Sequence, residues 1–281
     1  MRLLCLDVGN TNVTAGVFDG PELIAHFRLR ADGSRTADEY ASLIHSLVSL
    51  HCGGAGLDSI DAVAMASVAP AVAHALDRAC REYMGVCPYA VSAAQTDTGL
   101  TIAYEPVASL GADRLVNAFA AHALYAGAGG CIVVDYGTAT KLEAVSADGV
   151  YLGGVILPGV GISLDALFSR AAQLRQIPLT PLPASVIGGN TGDALRAGIL
   201  YGYAAQTDGL VTRFREAMGS AAARVIATGG LAELIAPHTR AVELTDVHLT
   251  LTGLRLLHER HTGAAKSGLA TILPAGKPRS C

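Results

Sequence analysis

The sequence has 281 residues, of which 51% are hydrophobic and 16% are charged, and its formal net charge is −4. This composition excludes a disordered chain, and the acidic balance leaves no electrostatic footprint for nucleic acid. Apolar runs are interrupted before they reach the length of a membrane span, and the six cysteines without a CxxC pair fit a reducing compartment. We therefore expect a globular, cytoplasmic, two-domain protein that binds small molecules, with no nucleic acid and no membrane as partner.

The first predicted element is a hairpin over residues 3–18, in which an apolar strand ends at Asp7 and a second apolar segment returns. Gly9 in the turn lets the backbone approach a ligand closely. Amide and hydroxyl side chains follow it: Asn10, Thr11, Asn12 and Thr14. Such a turn suits phosphate and a hydrated divalent cation. An ordinary polar hairpin turn is the alternative, because Asn and Gly are common in turns.

Strand and helix patterns alternate after the hairpin, which is typical of an α/β layer structure. The predicted segments are, in order, a strand over 22–29, a helix over 36–50, a strand over 60–68 and a helix over 69–84. Thr36 is the predicted N-cap of the first helix, and Glu39 three positions later completes a capping box.

An irregular segment then leads to a predicted helix from Leu115 and carries the acid/base candidate, Asp113. The helix field favours a carboxylate at this position, and Arg114 beside it can hold an anionic substrate with two hydrogen bonds. The alternative is a structural aspartate that pairs with its neighbour at a helix N-terminus. Tyr104 upstream, taken by itself, fits a core or rim position.

A second hairpin over residues 131–145 repeats the first, with Asp135 and Gly137 in the places of Asp7 and Gly9. Self-similarity over such a long period predicts two halves of like architecture that face one cleft. The sequence contains no Walker A motif, so the two hairpins would have to hold the phosphates of any bound nucleotide.

The remaining sequence predicts a glycine- and proline-punctuated loop, three helices, one strand and a tail. The loop contains Gly153, Gly154 and Pro158, and the segments after it are a helix over 163–173, a helix over 192–218, a strand over 224–228 and a helix over 250–259. Gly229 and Gly230 are expected to let a flat base or ribose lie against the backbone. Small and polar residues from position 262 predict a frayed tail.

With these residues assembled, the chain resembles the type III pantothenate kinases, members of the acetate and sugar kinase/Hsp70/actin superfamily. The resemblance extends from residue 3 to about residue 258. It rests on six motifs in the same order: DVGNTN at 7–12, GADR at 111–114, DYGTAT at 135–140, PGVGIS at 158–163, GGNT at 188–191 and TGGLA at 228–232.

The resemblance implies an α/β fold with two ribonuclease H-like domains, which we expect over residues 1–114 and 115–261. The composition of residues 262–281 predicts that they form a flexible tail. It also implies a homodimer with sites at the subunit interface. The implied reaction is the ATP-dependent phosphorylation of the primary hydroxyl of pantothenate to 4'-phosphopantothenate, the first step toward coenzyme A.

The resemblance also assigns roles to individual positions. The residues implied to bind ATP are Asp7, Val8, Gly9, Asn10, Thr11, Asn12, Val13, Thr14 and Thr138. Those implied to hold pantothenate are Tyr104, Gly111, Ala112, Asp113, Arg114 and, from across the interface, Thr191. Asp113 would be the general base. Asp7 would bind Mg²⁺ through water, and Asp135 would bind the monovalent cation, usually potassium, on which the family depends, with ammonium as the alternative ion.

One departure from the family pattern concerns the second hairpin, where similar sequences usually continue DxGTATT with a later Asp. This chain has Lys141 and Glu143 there, and Lys141 is one of only three lysines in the sequence. We hypothesise that its ammonium approaches Asp135 or the phosphates and replaces the potassium ion wholly or in part. A solvated strand lysine is the alternative, because alternation alone does not determine which face of the strand it takes.

Two other functions compete with this interpretation. Some members of the family are described as regulatory accessory factors, so the chain could be a nucleotide-binding protein without catalytic activity. Intact Asp7, Asp113 and Arg114 argue against that reading, and Lys141 argues slightly for it. A sugar or acetate kinase would explain the two hairpins but not the GADR motif with Tyr104 upstream.

Overall fold

The computed structural model describes residues 1–171, 174 and 177–268, which divide into two compact units. Unit 1 comprises Met1–Thr98, Glu105–Val116 and the described chain from Thr250 onward. Unit 2 comprises Gly99–Tyr104 and the described part of Asn117–Leu249. The division expected from the sequence is at residue 114, into 1–114 and 115–261. In the structure, Gly99–Tyr104 belongs to unit 2, and the described chain from Thr250 belongs to unit 1.

Unit 1 is a five-stranded sheet with helices. Its elements are β1 (Arg2–Val8), β2 (Asn12–Asp19), β3 (Glu22–Arg30), α1 (Ala37–His51), β4 (Ala62–Ser67), α2 (Pro70–Ala79) and β5 (Tyr89–Val91). The strand order is β3-β2-β1-β4-β5, with β1, β2 and β3 antiparallel and with β4 and β5 parallel to β1. Helix α3 (Ala112–Tyr125) begins in this unit and continues into the other.

Unit 2 is built around a six-stranded sheet. Its elements are β6 (Thr101–Ile102), the rest of α3, β7 (Cys131–Tyr136), β8 (Ala139–Val145), β9 (Val150–Pro158), α4 (Val160–Arg170), α5 (Thr191–Met218), β10 (Arg224–Thr228), α6 (Ala232–Ile235) and β11 (Leu244–Thr245). The strand order is β11-β10-β7-β8-β9-β6. Apart from β6, this sheet repeats the order and strand directions of the first, as the duplicated hairpin predicts.

The central strands of the first sheet are buried on both faces, and alternation assigns each residue to one of the two. On β1, Leu4, Leu6 and Val8 belong to the buried cluster that packs with α1 and α2. Asp7 lies between them in sequence and therefore points to the opposite face. The predicted capping box of α1 is confirmed, because the Thr36 amide donates to Glu39 Oε2 at 2.7 Å and the Glu39 amide donates to Thr36 Oγ1 at 3.3 Å.

Two predicted elements are wrong in their type or end. The glycine-rich segment read as a loop is strand β9. A Cβ atom at Gly154 would overlap the Leu142 carbonyl oxygen of β8, which explains a glycine within this strand. The predicted helix over 69–84 is helical to Ala79 and then widens into a π-helical turn, Cys80–Met84, which ends at Gly85 with φ +67°.

The last helix, α7 (Leu249–Gly268), is longer than predicted. Residues 262–268 are helical instead of belonging to the predicted tail, and the remainder of that tail, 269–281, lies outside the described residues. Thr262 continues the helix and donates its hydroxyl to the His258 carbonyl at 3.0 Å.

Among the described helices, none combines the length and the apolar composition that a bilayer crossing requires.

Candidate active site

The two hairpins present one aspartate each at matching positions. Asp7 near the end of β1 is directly opposite Thr14 of β2, and Asp135 near the end of β7 is directly opposite Lys141 of β8. Each aspartate lies at the carboxyl end of a strand that is flanked by a parallel strand, β4 in unit 1 and β10 in unit 2. Ligands of open α/β sheets bind at such strand ends.

The first hairpin turn is compact and exposes its polar side chains. The Gly9 amide donates to the Asn12 carbonyl at 2.9 Å, which closes the turn. The amide and hydroxyl side chains of Asn10, Thr11 and Asn12 are exposed, whereas Asp7 is half-buried. These groups fit phosphate oxygens and a hydrated Mg²⁺, because carboxylates usually hold that ion through its water ligands.

The second hairpin turn is one residue shorter, and it packs tightly against the start of α4. The Gly137 amide donates to the Ala139 carbonyl at 3.2 Å, and Thr138 between them is exposed. A Cβ atom at Gly159 would lie 2.6 Å from the Gly137 carbonyl oxygen and still closer to that of Thr138. Glycine is therefore required at position 159, where the PGVGIS motif follows β9.

Lys141 forms an ion pair with Asp135 within unit 2. Its Nζ lies 2.9 Å from Asp135 Oδ2, and the two side chains are 14% and 15% exposed. Register explains the contact, because the two residues are directly opposite on neighbouring antiparallel strands and share one face. The hypothesis that the ammonium approaches Asp135 is thus confirmed, and the alternative of a solvated lysine is wrong.

Gly229 follows β10 and lies against the same aspartate. Its φ is +93°, and an added Cβ atom would lie 2.5 Å from Asp135 Oδ1 and 2.7 Å from the Tyr136 carbonyl carbon. Glycine is therefore required at position 229 because β7 lies so close to it. The expectation from the sequence explains this glycine by a base or ribose that lies against the backbone.

Asp113 lies in the first turn of α3 in unit 1, close to the carboxyl end of β1. A Cβ atom at Gly111 would lie 2.7 Å from Asp113 Oδ1 and 3.5 Å from Val68 Cγ1. The Val68 amide in turn donates to the Val8 carbonyl at 3.0 Å. Asp113 is half-buried and Arg114 is only 7% exposed, so the structure brings this pair together with the first hairpin.

The remaining two candidates, Tyr104 and Thr191, lie in unit 2. Tyr104 is half-buried, and its ring meets that of Tyr151 edge-on, with centroids 6.0 Å apart. Thr191 is the first residue of α5 and is exposed, directly after the N-cap Asn190, whose side chain accepts from the Asp193 amide at 2.9 Å. The structure therefore groups Tyr104, Thr138 and Lys141 with the second sheet, and Asp7 and Asp113 with the first.

Sequence reasoning missed Tyr151, a fully buried tyrosine whose hydroxyl donates to Glu143. A carboxylate in the apolar strand β8 was the available signal, because a buried charged group needs hydrogen-bond donors nearby.

The buried cysteines of the hairpins have no comparable role. Burial raises the pKa of Cys131 to about 12 and also raises the pKa of Cys5, so both thiols stay protonated.

Solved structures with a similar fold include the activator of 2-hydroxyisocaproyl-CoA dehydratase from Clostridium difficile with bound ADPNP. The TM-score is 0.56 at 13% sequence identity, and the match covers 98% of this chain and 100% of that one. At this identity the likeness shows the fold alone. The chain has the α/β fold with two ribonuclease H-like domains that is typical of the acetate and sugar kinase/Hsp70/actin superfamily.

Sequence comparison is more specific. A protein named type III pantothenate kinase from Moorella thermoacetica is 44% identical over 260 residues, which are 92% of this chain and 100% of that protein. One of the same name from Frankia alni is 46% identical over 259 residues, with coverage of 92% and 99%. The family model described as type III pantothenate kinase matches residues 3–213. This chain therefore belongs to the type III pantothenate kinase family.

Proposed function

We propose that this protein transfers the γ-phosphoryl group of ATP to the primary hydroxyl of pantothenate and so catalyses the first step of coenzyme A biosynthesis. The observation that carries the proposal is the family match over residues 3–213 in a chain that keeps Asp113 and Arg114 together at the start of α3. The first hairpin supports it, because its exposed amides and hydroxyls suit a polyphosphate.

In the proposed reaction, Asp113 accepts the proton of the substrate hydroxyl as it attacks, and Arg114 holds the pantothenate carboxylate. ATP with Mg²⁺ supplies the phosphoryl group and neutralises charge on the phosphates. Asp7 would hold the ion through water. The groups proposed to bind ATP are residues 7–14 with Thr138, and those proposed to bind pantothenate are Tyr104, Gly111, Ala112, Asp113, Arg114 and Thr191.

A substrate panel tests this function. ADP release by the purified protein with MgATP is measured with pantothenate, acetate and a set of hexoses, each in potassium- and ammonium-containing buffers. We expect turnover with pantothenate alone. Turnover with a hexose or acetate but not pantothenate would contradict the proposal in favour of a different kinase. Binding of ATP by folded protein without turnover in any buffer would contradict it in favour of an accessory factor.

We further propose that Lys141 supplies part or all of the positive charge that a monovalent cation would otherwise bring to Asp135. The support is the 2.9 Å ion pair, in which both side chains are largely removed from water. An ammonium group is a compact cation that can neutralise a carboxylate as a potassium or ammonium ion does. Asp135 would bind that free ion wherever the lysine leaves room for it.

The expected result is that wild-type activity depends little on potassium, whereas Lys141→Ala requires it. Activity and thermal melting are measured in sodium and in potassium buffers. Potassium should raise the melting temperature of Lys141→Ala by several degrees and leave the wild type unchanged, because an ion that binds only the folded state stabilises it. Lys266→Ala makes the same change in net charge and is the control. Strict potassium dependence of the wild type would contradict this role.

We also propose a homodimer in the cytoplasm. Unit 2 exposes large apolar side chains on β9, on α4 and in the segment before α5: Leu152, Ile156, Ile162, Leu182, Val186 and Ile187. A second copy is the proposed occupant, and Thr191 nearby in sequence would then act across the interface. Sedimentation equilibrium should give twice the chain mass of 28.7 kDa, and a monomer at that mass would contradict it. A reducing compartment fits the cysteines of the described chain that form no disulfide: Cys5, Cys52, Cys80, Cys87 and Cys131.

A further inference from the structure

In unit 2, the ring of Tyr104 contacts a tyrosine that takes part in a buried hydrogen bond with a glutamate. Tyr151 of β9 is 0% exposed and Glu143 of β8 is 2% exposed. The Tyr151 hydroxyl donates to Glu143 Oε2, and the Tyr151 ring meets the Tyr104 ring at an interplanar angle of 66°. Glu143, Tyr151 and Tyr104 therefore form a continuous series from the middle of the sheet to a half-buried aromatic side chain.

The backbone ties the same residues together. Strand β6 pairs with the start of β9, with Ile102 opposite Tyr151. The amide of Ala103, directly before Tyr104, donates to the Tyr151 carbonyl at 2.9 Å. The backbone of Tyr151 thus holds the backbone directly before Tyr104, and the ring of Tyr151 forms the surface that the Tyr104 ring contacts.

Two consecutive glycines of β9 make room for this arrangement. A Cβ atom at Gly153, whose φ is +111°, would lie 3.6 Å from Tyr104 Cδ2. A Cβ atom at Gly154 would lie 2.5 Å from Glu143 Oε2. It would lie still closer to the Leu142 carbonyl oxygen, so glycine at position 154 leaves room for the backbone of β8 as well as for the Glu143 side chain.

Glu143 also lies on the same face of β8 as Lys141, two residues earlier. One strand therefore directs an ammonium toward Asp135 and a carboxylate toward Tyr151. A hydrogen bond between two buried side chains constrains both of them, because leaving either buried polar group without a partner costs free energy. It is accordingly well suited to hold an aromatic ring in a single orientation.

We propose that Glu143 and Tyr151 are positioning residues that fix the ring of Tyr104 for pantothenate and thereby set the affinity for that substrate. The inference rests on the proposed function, in which Tyr104 contacts pantothenate. The pair acts through Tyr104 and has no role in phosphoryl transfer itself. It should therefore influence the binding of the acceptor much more than the binding of ATP or the rate of the chemical step.

Tyr151→Phe tests this role, because it deletes one hydroxyl and keeps the ring. We expect the KM for pantothenate to rise about tenfold, with kcat and the KM for ATP within about twofold of wild type. Glu143→Gln keeps an oxygen acceptor for the Tyr151 hydroxyl and should stay closer to wild type than Tyr151→Phe.

Tyr136→Phe is the matched control. Tyr136 is the other buried tyrosine of this sheet with a side-chain hydrogen-bond partner, Thr207 Oγ1 at 2.7 Å, and burial raises its pKa to about 12. Deleting its hydroxyl should cause a similar loss of thermal stability without a change in the KM for pantothenate. Equal KM values in the two phenylalanine variants would overturn the inference.

A second measurement separates this inference from the proposed function. In protein labelled with ¹³C-tyrosine, the Tyr104 ring resonances, identified by their loss in Tyr104→Phe, should shift in Tyr151→Phe and not in Tyr136→Phe. Unchanged Tyr104 resonances would overturn the positioning role whatever the activity. If the Tyr104 resonances shift in Tyr151→Phe as expected but the wild-type protein does not phosphorylate pantothenate, the proposed function is contradicted and the positioning of Tyr104 is not.

Discussion

Asp113→Asn is expected to lower kcat for pantothenate phosphorylation by about 10²–10⁴-fold, the usual contribution of a general base. The amide keeps the shape of the side chain in the first turn of α3 but cannot accept the proton of the attacking hydroxyl. Binding of ATP and of pantothenate should be retained, because Arg114 and the first hairpin are unchanged. The measurements are ADP release for kcat and calorimetric titration for both substrates.

Asp38→Asn is the matched control for that variant. Asp38 also lies in the first turn of a helix, α1, but is exposed and accepts from the Tyr83 hydroxyl at 2.6 Å. Its kcat should stay within about twofold of wild type. If Asp113→Asn retained a comparable rate, Asp113 would be a structural helix-terminal aspartate, which is the alternative that sequence reasoning left open.

Gly229→Ala is expected to lower the free energy of unfolding by about 3 kcal/mol or more. The residue has φ +93°, and the new Cβ atom would lie 2.5 Å from Asp135 Oδ1 and 2.7 Å from the Tyr136 carbonyl carbon. Relief requires movement of β7 at the aspartate that pairs with Lys141. ATP affinity should therefore fall together with stability, measured by titration and by denaturant unfolding.

The control for Gly229→Ala is Gly219→Ala, at the C-cap of α5. Gly219 also has a positive φ, +62°, but a Cβ atom there would meet no heavy atom within 4 Å. This variant has the backbone strain without the steric overlap and should lose only about 1 kcal/mol, with ATP affinity unchanged. Equal effects of the two substitutions would show that strain alone, and not the contact with Asp135, requires glycine at position 229.

Much of the fold could be predicted because local patterns and tertiary packing agree. Each hairpin has an apolar strand, an aspartate and a glycine turn, and the strands begin and end close to the predicted positions. The capping box of Thr36 and Glu39 marks the start of α1 for the same reason, since it is a local contact. The apolar run over 60–68 likewise predicts the buried strand β4.

The parts that could not be predicted depend on contacts distant in sequence. Gly153 and Gly154 indicate a loop when read locally. The reason that a strand has glycine there is the space taken by the Leu142 carbonyl and by the Glu143 and Tyr104 side chains. The face taken by Lys141 depends on the register between β7 and β8. Likewise, nothing in the periodicity of α7 indicates that it groups with the first sheet, where Leu251 packs over Gly16.

Identification of the reaction product tests the central proposal most directly. Purified wild-type protein is incubated with MgATP and pantothenate, and the product is examined by mass spectrometry and by ³¹P–¹H correlation spectroscopy. The account predicts one phosphate on the primary hydroxyl of pantothenate and one ADP for each product molecule. Release of ADP and inorganic phosphate with unmodified pantothenate, or a phosphate on any other group, would contradict it.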